Sequence, residues 1–521
     1  IVDEAAALDL LWDAFKENLS NAKYETCQLL LDSFQPTKSA QKVQEIVLQV
    51  ELFTELSEFE KAKAVFEEIE KLEIPLDART LHAIGMALQN LGEADARLGR
   101  MREAIDLLKR TVMIYDKILE AVDVKEDLYN SKGIVLQVLG EIYMRMGEVE
   151  TSIEMFTEAI VSYDEALRIT SGKFKEAWNN RGIVLRNIGE AYMRIGDLNK
   201  AIKNLESAIS SYKEALSLTD GKYVEAWNNL GVALEYLGEI YASIGDNRQA
   251  IKRLEEAIDA YDEALRLTEN RDISTWNNRG IALQLMGTLY MRLGNTKKAI
   301  ENTLDAIKSF DEALKRTNNR FIEAWNNKGI SLQILGEINM NIKNFDVAMK
   351  LLEESIESHD EVLKLTDNRH IEAWNNKGIA QEVLAEVFMR LGDLETAILM
   401  LKKAIASHDE TLKLTNNMDR RAWNNKGIAL QALAGIYSIK GELEAALKVI
   451  GMSLNSLDMA LKLTQNMFVE AWNNKGIALG IAGDIYIRLG NKEKAIEMLK
   501  ESIRAYDESL RLTSNRNLKA W

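Results

Sequence analysis

Apolar residues recur at helical spacing along almost the whole chain. Over residues 175–195, the apolar side chains of Trp178, Leu185, Ile188 and Tyr192 lie three, four or seven positions apart. This spacing places them on one face of a helix, so the pattern predicts a single amphipathic helix in this segment.

A second helix is predicted directly after the first. The segment GDLNKA interrupts the apolar pattern, with Gly196 as a helix end and Asp197 as the N-cap of the next helix. Apolar positions resume at Ala201 and Leu205 and continue to about residue 219. The two predicted helices, called helix A and helix B below, form an antiparallel pair.

The helix pair returns along the chain at a fixed period. Tyr129 and, 48 residues earlier, Leu81 take the position that tryptophan holds in the later repeats. The tryptophans stand 49 residues apart, at Trp178, Trp227, Trp276, Trp325, Trp374, Trp423, Trp472 and Trp521. Residues 78–520 are therefore predicted to hold nine elongated repeats, which start at residues 81, 129, 178, 227, 276, 325, 374, 423 and 472.

The two ends of the chain depart from this regular pattern. Residues 1–77 contain two weaker matches and are predicted to form two degenerate helix pairs. Trp521 stands where a new repeat would begin, so we interpret it as the first residue of a further, truncated repeat.

The segment LRNIGEAYMRIGDLNKAIKNLESAI resembles the tetratricopeptide repeat (TPR) family. The residues that match the spacing of that family are Leu185, Ile188, Gly189, Tyr192, Gly196, Ala201, Leu205 and Ala208. The resemblance implies an all-α fold, an α-solenoid of antiparallel helix pairs wound as a right-handed superhelix. It also implies that helix A of each repeat lines the concave groove and helix B the convex side.

The repeats are longer than the 34 residues typical of that family. Only Pro36 and Pro75 interrupt helix formation, so the long repeats contain no proline that would end helix B. Fifteen additional residues over two helices would lengthen each helix by roughly 11 Å. We therefore expect an unusually thick solenoid.

Glycines inside the predicted helix A indicate a close helix crossing. Gly182 and Gly189 lie seven positions apart on one face, and each costs about 1 kcal/mol of helix stability relative to alanine. Such a cost is reasonable where helix B passes too near for a side chain. A phosphate-binding glycine loop would need a preceding strand, and the sequence predicts none.

Composition narrows the range of functions. The net charge of −16 disfavours binding to the phosphate backbone of a nucleic acid, so no nucleic-acid partner is expected. No stretch reaches 18 consecutive apolar residues, so no membrane partner is expected either. A single cysteine, Cys27, fits a reducing compartment, and we expect a cytoplasmic protein.

Candidate catalytic chemistry is scarce. None of the motifs HExxH, CxxC or a nucleophile elbow occurs, and the four histidines are His82, His359, His370 and His408. His359 and His408 replace an aromatic residue of helix B, which indicates a packing role. We expect no enzyme activity, no metal and no cofactor.

The candidate binding residues lie on helix A. If Trp178 marks the centre of the buried face, Asn179, Ile183, Glu190 and Arg194 share the opposite face, which would line the groove. The first asparagine column is Asn179, Asn228, Asn277, Asn326, Asn375, Asn424 and Asn473. The second column, predicted at the edge facing the next repeat, is Asn180, Asn229, Asn278, Asn327, Asn376, Asn425 and Asn474.

Asparagine carries both a donor and an acceptor, so a column of amides could hold the main chain of an extended peptide. Some superhelical members of the TPR family carry such a column of asparagines. The alternative is structural: asparagine near a helix start also caps the helix or bonds to the adjacent repeat.

Three functions remain open from the sequence. The first is a non-enzymatic scaffold that binds a protein or an extended peptide in the groove. The second is a sensor or regulatory arm of a larger signalling ATPase or transferase. The third is a structural array that self-associates end to end, because the last full repeat keeps the interior pattern without a polar cap.

Overall fold

The structure, a computed structural model, describes residues 13–19, 22–33, 39–68, 78–121 and 125–513. These residues contain helices, turns and no strand, so the all-α fold class is confirmed. Trp521, the predicted start of a further repeat, lies outside the described residues.

Among the described residues before the long repeats, a helical segment at residues 13–19 is followed by three helices. They are α1 (Tyr24–Ser33), α2 (Ser39–Glu55) and α3 (Phe59–Phe66). Helices α2 and α3 share an apolar cluster with the first long repeat, in which Val43 and Phe66 pack with Leu88. The amino-terminal helices therefore cover one face of that repeat.

The described part of the chain continues with nine helix pairs, and each helix holds 20 or 21 residues, or about 30 Å of length. In order, repeats 1 to 9 are α4 (Ala78–Arg97) with α5 (Met101–Ala121), α6 (Glu126–Met146) with α7 (Val149–Ile169), α8 (Lys175–Arg194) with α9 (Leu198–Ser217), α10 (Val224–Ser243) with α11 (Asn247–Leu267), α12 (Ile273–Arg292) with α13 (Thr296–Arg316), α14 (Ile322–Asn341) with α15 (Phe345–Leu365), α16 (Ile371–Leu391) with α17 (Leu394–Leu414), α18 (Arg420–Ile439) with α19 (Leu443–Leu463), and α20 (Val469–Arg488) with α21 (Lys492–Leu512).

The chain divides into two compact units. The first ends at Leu267 and holds repeats 1–4; the second begins at Thr268 and holds repeats 5–9. Within each unit, helix A packs on helix B of its own repeat, and helix B packs on helix A of the next. Successive helices A also touch each other, and in the described part of the chain this direct packing is more extensive than any between successive helices B. In each unit the helices A therefore form one continuous face.

The break between the two helices of repeat 3 follows the sequence prediction. Gly196 has a φ of +81°, a left-handed conformation that glycine adopts without steric cost and that ends helix A. Asp197 is the N-cap of helix B, and its carboxylate accepts the backbone N–H of Lys200 at 3.1 Å. This bond satisfies one of the free N–H groups at the helix start.

The glycines of helix A lie where helix B crosses it, as predicted. A Cβ on Gly182 would lie 2.5 Å from Cε1 of the fully buried Tyr212, and one on Gly189 would lie 2.9 Å from Cγ of Leu205. The same contact joins Gly133 to Tyr163, Gly231 to Tyr261, Gly280 to Phe310, Gly329 to His359, Gly378 to His408, Gly427 to Leu457 and Gly476 to Tyr506. One glycine in helix A thus accommodates one large side chain of helix B in each of these repeats.

The substitution Gly182→Ala is expected to destabilise the protein. Its methyl group would overlap the Tyr212 ring, and overpacking of this kind costs about 1–3 kcal/mol. Alanine recovers about 1 kcal/mol in helix propensity, so we expect a net loss of up to about 2 kcal/mol in the free energy of unfolding. Chemical denaturation followed by circular dichroism measures it.

Gly435→Ala is the matched control, since Gly435 also lies inside a helix A but no heavy atom would come within 4 Å of its Cβ. This variant should be stabilised by up to about 1 kcal/mol. If both alanine variants change the free energy of unfolding in the same direction, the helix crossing at Gly182 has room for a methyl group.

Candidate functional site

In repeats 3 to 9, the tryptophan closes the turn that leads into helix A. The Nε1 of Trp178 donates to the backbone oxygen of Gly172 at 2.9 Å, and Trp325 donates to Asn319 at 3.0 Å. Gly172 and Asn319 have φ values of +76° and +61°, which glycine and asparagine tolerate best. The tryptophan therefore fixes the turn between repeats, and its indole stays partly exposed.

The cation three residues after the tryptophan joins two successive repeats. Lys328 Nζ lies 5.2 Å from the centre of the Trp325 ring and 2.6 Å from Oδ1 of Asp311, on helix B of the preceding repeat. The same ion pairs are Lys132–Asp116, Arg181–Asp164, Lys377–Asp360, Lys426–Asp409 and Lys475–Asp458. The aspartate at this position of helix B is thus part of the repeat junction.

The two asparagine columns are hydrogen bonded to each other across the junctions. Nδ2 of Asn376 donates to Oδ1 of Asn326 at 3.1 Å. The other bonds, at 3.0–3.1 Å, are Asn180 to Asn130, Asn229 to Asn179, Asn327 to Asn277, Asn425 to Asn375 and Asn474 to Asn424. Within each unit, the second asparagine of one repeat therefore donates to the first asparagine of the repeat before it.

The predicted orientation of both columns is wrong. Asn179 is only 5% exposed and faces the following repeat, and Asn277, Asn326, Asn424 and Asn473 are 6–8% exposed. The second column faces the preceding repeat, not the next one. The error arises because the half-exposed tryptophan does not mark the centre of the buried face, whereas Ala177 and Val184 are fully buried.

The remaining predicted residues do lie on the open face of helix A. Ile183 is half-buried, and its equivalents in the other repeats form an apolar column. Glu190 and the exposed Arg194 form an ion pair of 2.7 Å, four residues apart. This pair supports its own helix and leaves both side chains accessible.

Cavities open beside the asparagine columns. One, of about 590 Å³, is lined by Asn326, Asn327, Ile330, Arg369, His370, Ile371, Glu372, Asn375, Asn376, Asp419 and Arg421. A second, of about 440 Å³, is lined by Asn424, Ile428, Val469, Glu470, Asn473, Asn474 and Thr513. Both cavities therefore combine the two asparagine columns with the isoleucine column.

A polar column in helix A was missed by the sequence reasoning. Oε2 of Glu235 accepts the hydroxyl of Tyr261 at 3.0 Å, and Oε1 of Glu382 lies 2.7 Å from Nε2 of His408. Both pairs join residues 26 positions apart, from helix A to the buried large residue of helix B. The constant separation of 26 positions is visible in the sequence, but it can be recognised as a contact only once the helix crossing is known.

Burial changes the pKa values of ionisable side chains at the helix crossings. Desolvation raises the pKa of Glu235 to about 8, although the hydrogen bond from Tyr261 opposes the shift. Desolvation also lowers the pKa of His359 to about 3, so this ring is neutral at physiological pH. His359 is completely buried against Gly329, which agrees with the expected packing role.

The described residues contain no group of three or more His, Cys, Asp or Glu side chains arranged to hold a metal ion. No described helix combines the length and the apolar character that a bilayer crossing requires.

Family models described as tetratricopeptide repeat match residues 134–214, 180–263 and 477–508. No curated protein sequence matches the chain.

Solved structures resemble the chain weakly. The apo form of the quorum sensor NprR from B. thuringiensis has 14% identity and a TM-score of 0.44, and the match covers 78% of this chain and 99% of NprR. The S. pombe nuclear import adaptor Nro1 has 14% identity and a TM-score of 0.42, with 55% and 94% covered. Yeast Tom70 has 15% identity and a TM-score of 0.37, with 98% and 95% covered.

The asparagine pair Asn326–Asn376 should show energetic coupling. Asn376→Ala leaves the buried oxygen of Asn326 without its donor, which costs about 1–3 kcal/mol. The double variant with Asn326→Ala should lose less than the sum of the two single losses, by about 0.5–1.5 kcal/mol. Denaturant unfolding of the four proteins completes the cycle.

The control cycle combines Asn326→Ala with Asn474→Ala, which belong to different junctions. Strict additivity for both cycles would mean that the Asn326–Asn376 bond does not contribute to stability.

Glu235→Gln should stabilise the protein at high pH. Below about pH 4.5 the carboxyl is protonated in both states, so the variant and the parent should be equally stable. Between pH 4.5 and 8 the folded state retains the proton that the unfolded state loses, so the stability of the parent falls as the pH rises. Since Glu235 is partly exposed, we expect a difference of about 1–2 kcal/mol at pH 9.

Glutamine can still accept the tyrosine hydroxyl, as Gln137 accepts that of Tyr163 at 3.3 Å. Thermal melts from pH 4 to 9 measure the effect, with the exposed Glu239→Gln as a control for net charge. A stability difference that does not change with pH would contradict the assignment to Glu235.

Proposed function

We propose that this chain, an array of elongated tetratricopeptide-like repeats, is a non-enzymatic scaffold that binds an extended peptide or a protein element on the face formed by helices A. The helices B contribute the large side chains that fill the crossings and the acids that join repeats. The open side of helix A is the surface that these structural roles leave free.

The repetition of the same cavity carries the proposal. Ile330 and Ile428 line two cavities that lie two repeats apart on the same face. Each isoleucine is half-buried and offers apolar surface to a ligand, and the asparagines beside it offer polar groups. An extended segment can use such a regular alternation, because its own side chains and amides alternate.

The asparagine ladder leaves part of its hydrogen-bonding capacity to a ligand. The bond from Asn376 to Asn326 uses one donor N–H of the second column and one acceptor of the first. The oxygen of Asn376 has no bond to a described residue, and the same holds for the amide nitrogen of Asn326. We propose that the columns hold the repeats in register and that, at this junction, the amide nitrogen of Asn326 and the oxygen of Asn376 bind the main chain of the segment.

The isoleucine column provides the test. A triple variant with Ile330→Ser, Ile379→Ser and Ile428→Ser should bind peptides selected on the parent at least tenfold more weakly, which corresponds to about 1.4 kcal/mol. The peptides come from a random displayed library selected on the immobilised full chain, and fluorescence anisotropy measures the affinities.

The control removes three exposed aliphatic side chains from helices B of the same repeats. Val347, Leu399 and Met452 are 41%, 51% and 46% exposed, so serine at these positions should leave the affinity unchanged. Equal losses in both triple variants, or a loss only in the control, would place the binding surface elsewhere. Circular dichroism verifies that both variants keep their helix content.

A further inference from the structure

One repeat breaks the charge pattern at the start of helix A. The residue two positions before the tryptophan is Arg421 in repeat 8 and Ser274 in repeat 5. In the other repeats from 2 to 9 it is acidic: Asp127, Glu176, Glu225, Glu323, Glu372 and Glu470. This position is exposed, so packing does not require a particular residue there. The charge reversal in repeat 8 therefore suggests a local function.

The reversal brings two arginines to one cavity. Arg369, in the turn before repeat 7, and Arg421 both line the cavity of about 590 Å³ between repeats 6, 7 and 8. Neither guanidinium forms an ion pair with a described carboxylate, whereas many other arginines of the chain do. One repeat earlier, the equivalent positions are Arg320 and Glu372, which have opposite charges.

Two carboxylates and a histidine also line this cavity, and two of the three residues cap a helix. Asp419 caps its helix, since its Oδ1 accepts the backbone N–H groups of Arg421 and Ala422 at 2.7 and 3.0 Å. His370 caps the preceding helix A by accepting the N–H of Ala373 at its Nδ1. Glu372 is exposed to solvent. The two guanidinium groups are thus the strongest uncommitted donors at the cavity.

We propose that this cavity binds an oxyanion, a carboxylate or a phosphate of the bound segment, between Arg369 and Arg421. Planar guanidinium groups bind such anions through two parallel hydrogen bonds, and the unpaired amide nitrogens of Asn326 and Asn375 add donors at the same site. The inference rests on the proposed function, because the anion belongs to the segment that lies along helices A. It adds selectivity at one junction of an otherwise uniform array.

The substitution Arg421→Glu tests the pocket without threatening the fold, because five repeats carry glutamate at this position. Peptides selected on the parent from a random displayed library should be enriched in aspartate and glutamate, and peptides selected on Arg421→Glu should not. Arg320→Glu is the matched control, since Arg320 is exposed on an equivalent turn but does not line the cavity. It should preserve the acidic preference.

A selected peptide then gives a quantitative measure. Replacing its acidic residue by the neutral amide should weaken binding to the parent about tenfold and leave binding to Arg421→Glu unchanged. If peptides are enriched but show no acidic preference, or if Arg320→Glu abolishes it equally, the pocket assignment is overturned while the scaffold function stands. If no peptide is enriched on the parent, the peptide-binding function itself fails.

The pocket can also be tested without a peptide. Acetate and methyl phosphate are titrated separately into protein labelled with ¹⁵N on arginine, and the side-chain signals of Arg369 and Arg421 are followed. Both signals should shift together with one of the anions, which also identifies the carboxylate or the phosphate as the ligand group, and Arg421→Glu should remove the response. Uniform shifts of all exposed arginines would overturn the proposal.

Discussion

The close crossing of the two helices in each repeat is the contact on which the rest of the structure depends. Tyr212 occupies the space that a side chain at Gly182 would need, so its ring packs directly on the backbone of helix A. This contact determines how the two helices of a pair lie against each other. The junction contacts, Lys328 with Asp311 and Asn376 with Asn326, require that geometry at 49-residue intervals.

Every residue of the recurring Trp-Asn-Asn-Lys-Gly motif has a structural contact. In repeat 6, Trp325 closes the turn, Asn326 accepts from the next repeat, Asn327 donates to the preceding one, Lys328 pairs with the preceding helix B, and Gly329 admits His359. Because each residue of the motif makes a packing or junction contact, the fold repeats regularly. The motif leaves ligand specificity to the positions that vary between repeats.

Two of these variable positions stand out. The polar column of Glu235 and Glu382 lies at the crossing, where burial raises the carboxyl pKa values and couples them to Tyr261 and His408. Arg421 lies on the exposed rim of the cavity, where its charge costs little folding stability and is available to bind a ligand. The first column therefore makes stability depend on pH, and the second site is the one that we propose to select the bound segment.

The sequence by itself determined the period, the helix pairs, their all-α fold and the reason for the glycines, because these follow from local spacing and helix propensity. It placed Ile183, Glu190 and Arg194 on one face of helix A, since a helical wheel orders residues around one axis, and these side chains are partly or fully exposed. It misplaced the asparagine columns and did not identify Arg369 with Arg421 as neighbours. Those facts depend on how one helix sits against the next repeat, and residues 52 positions apart meet only after several helices have packed.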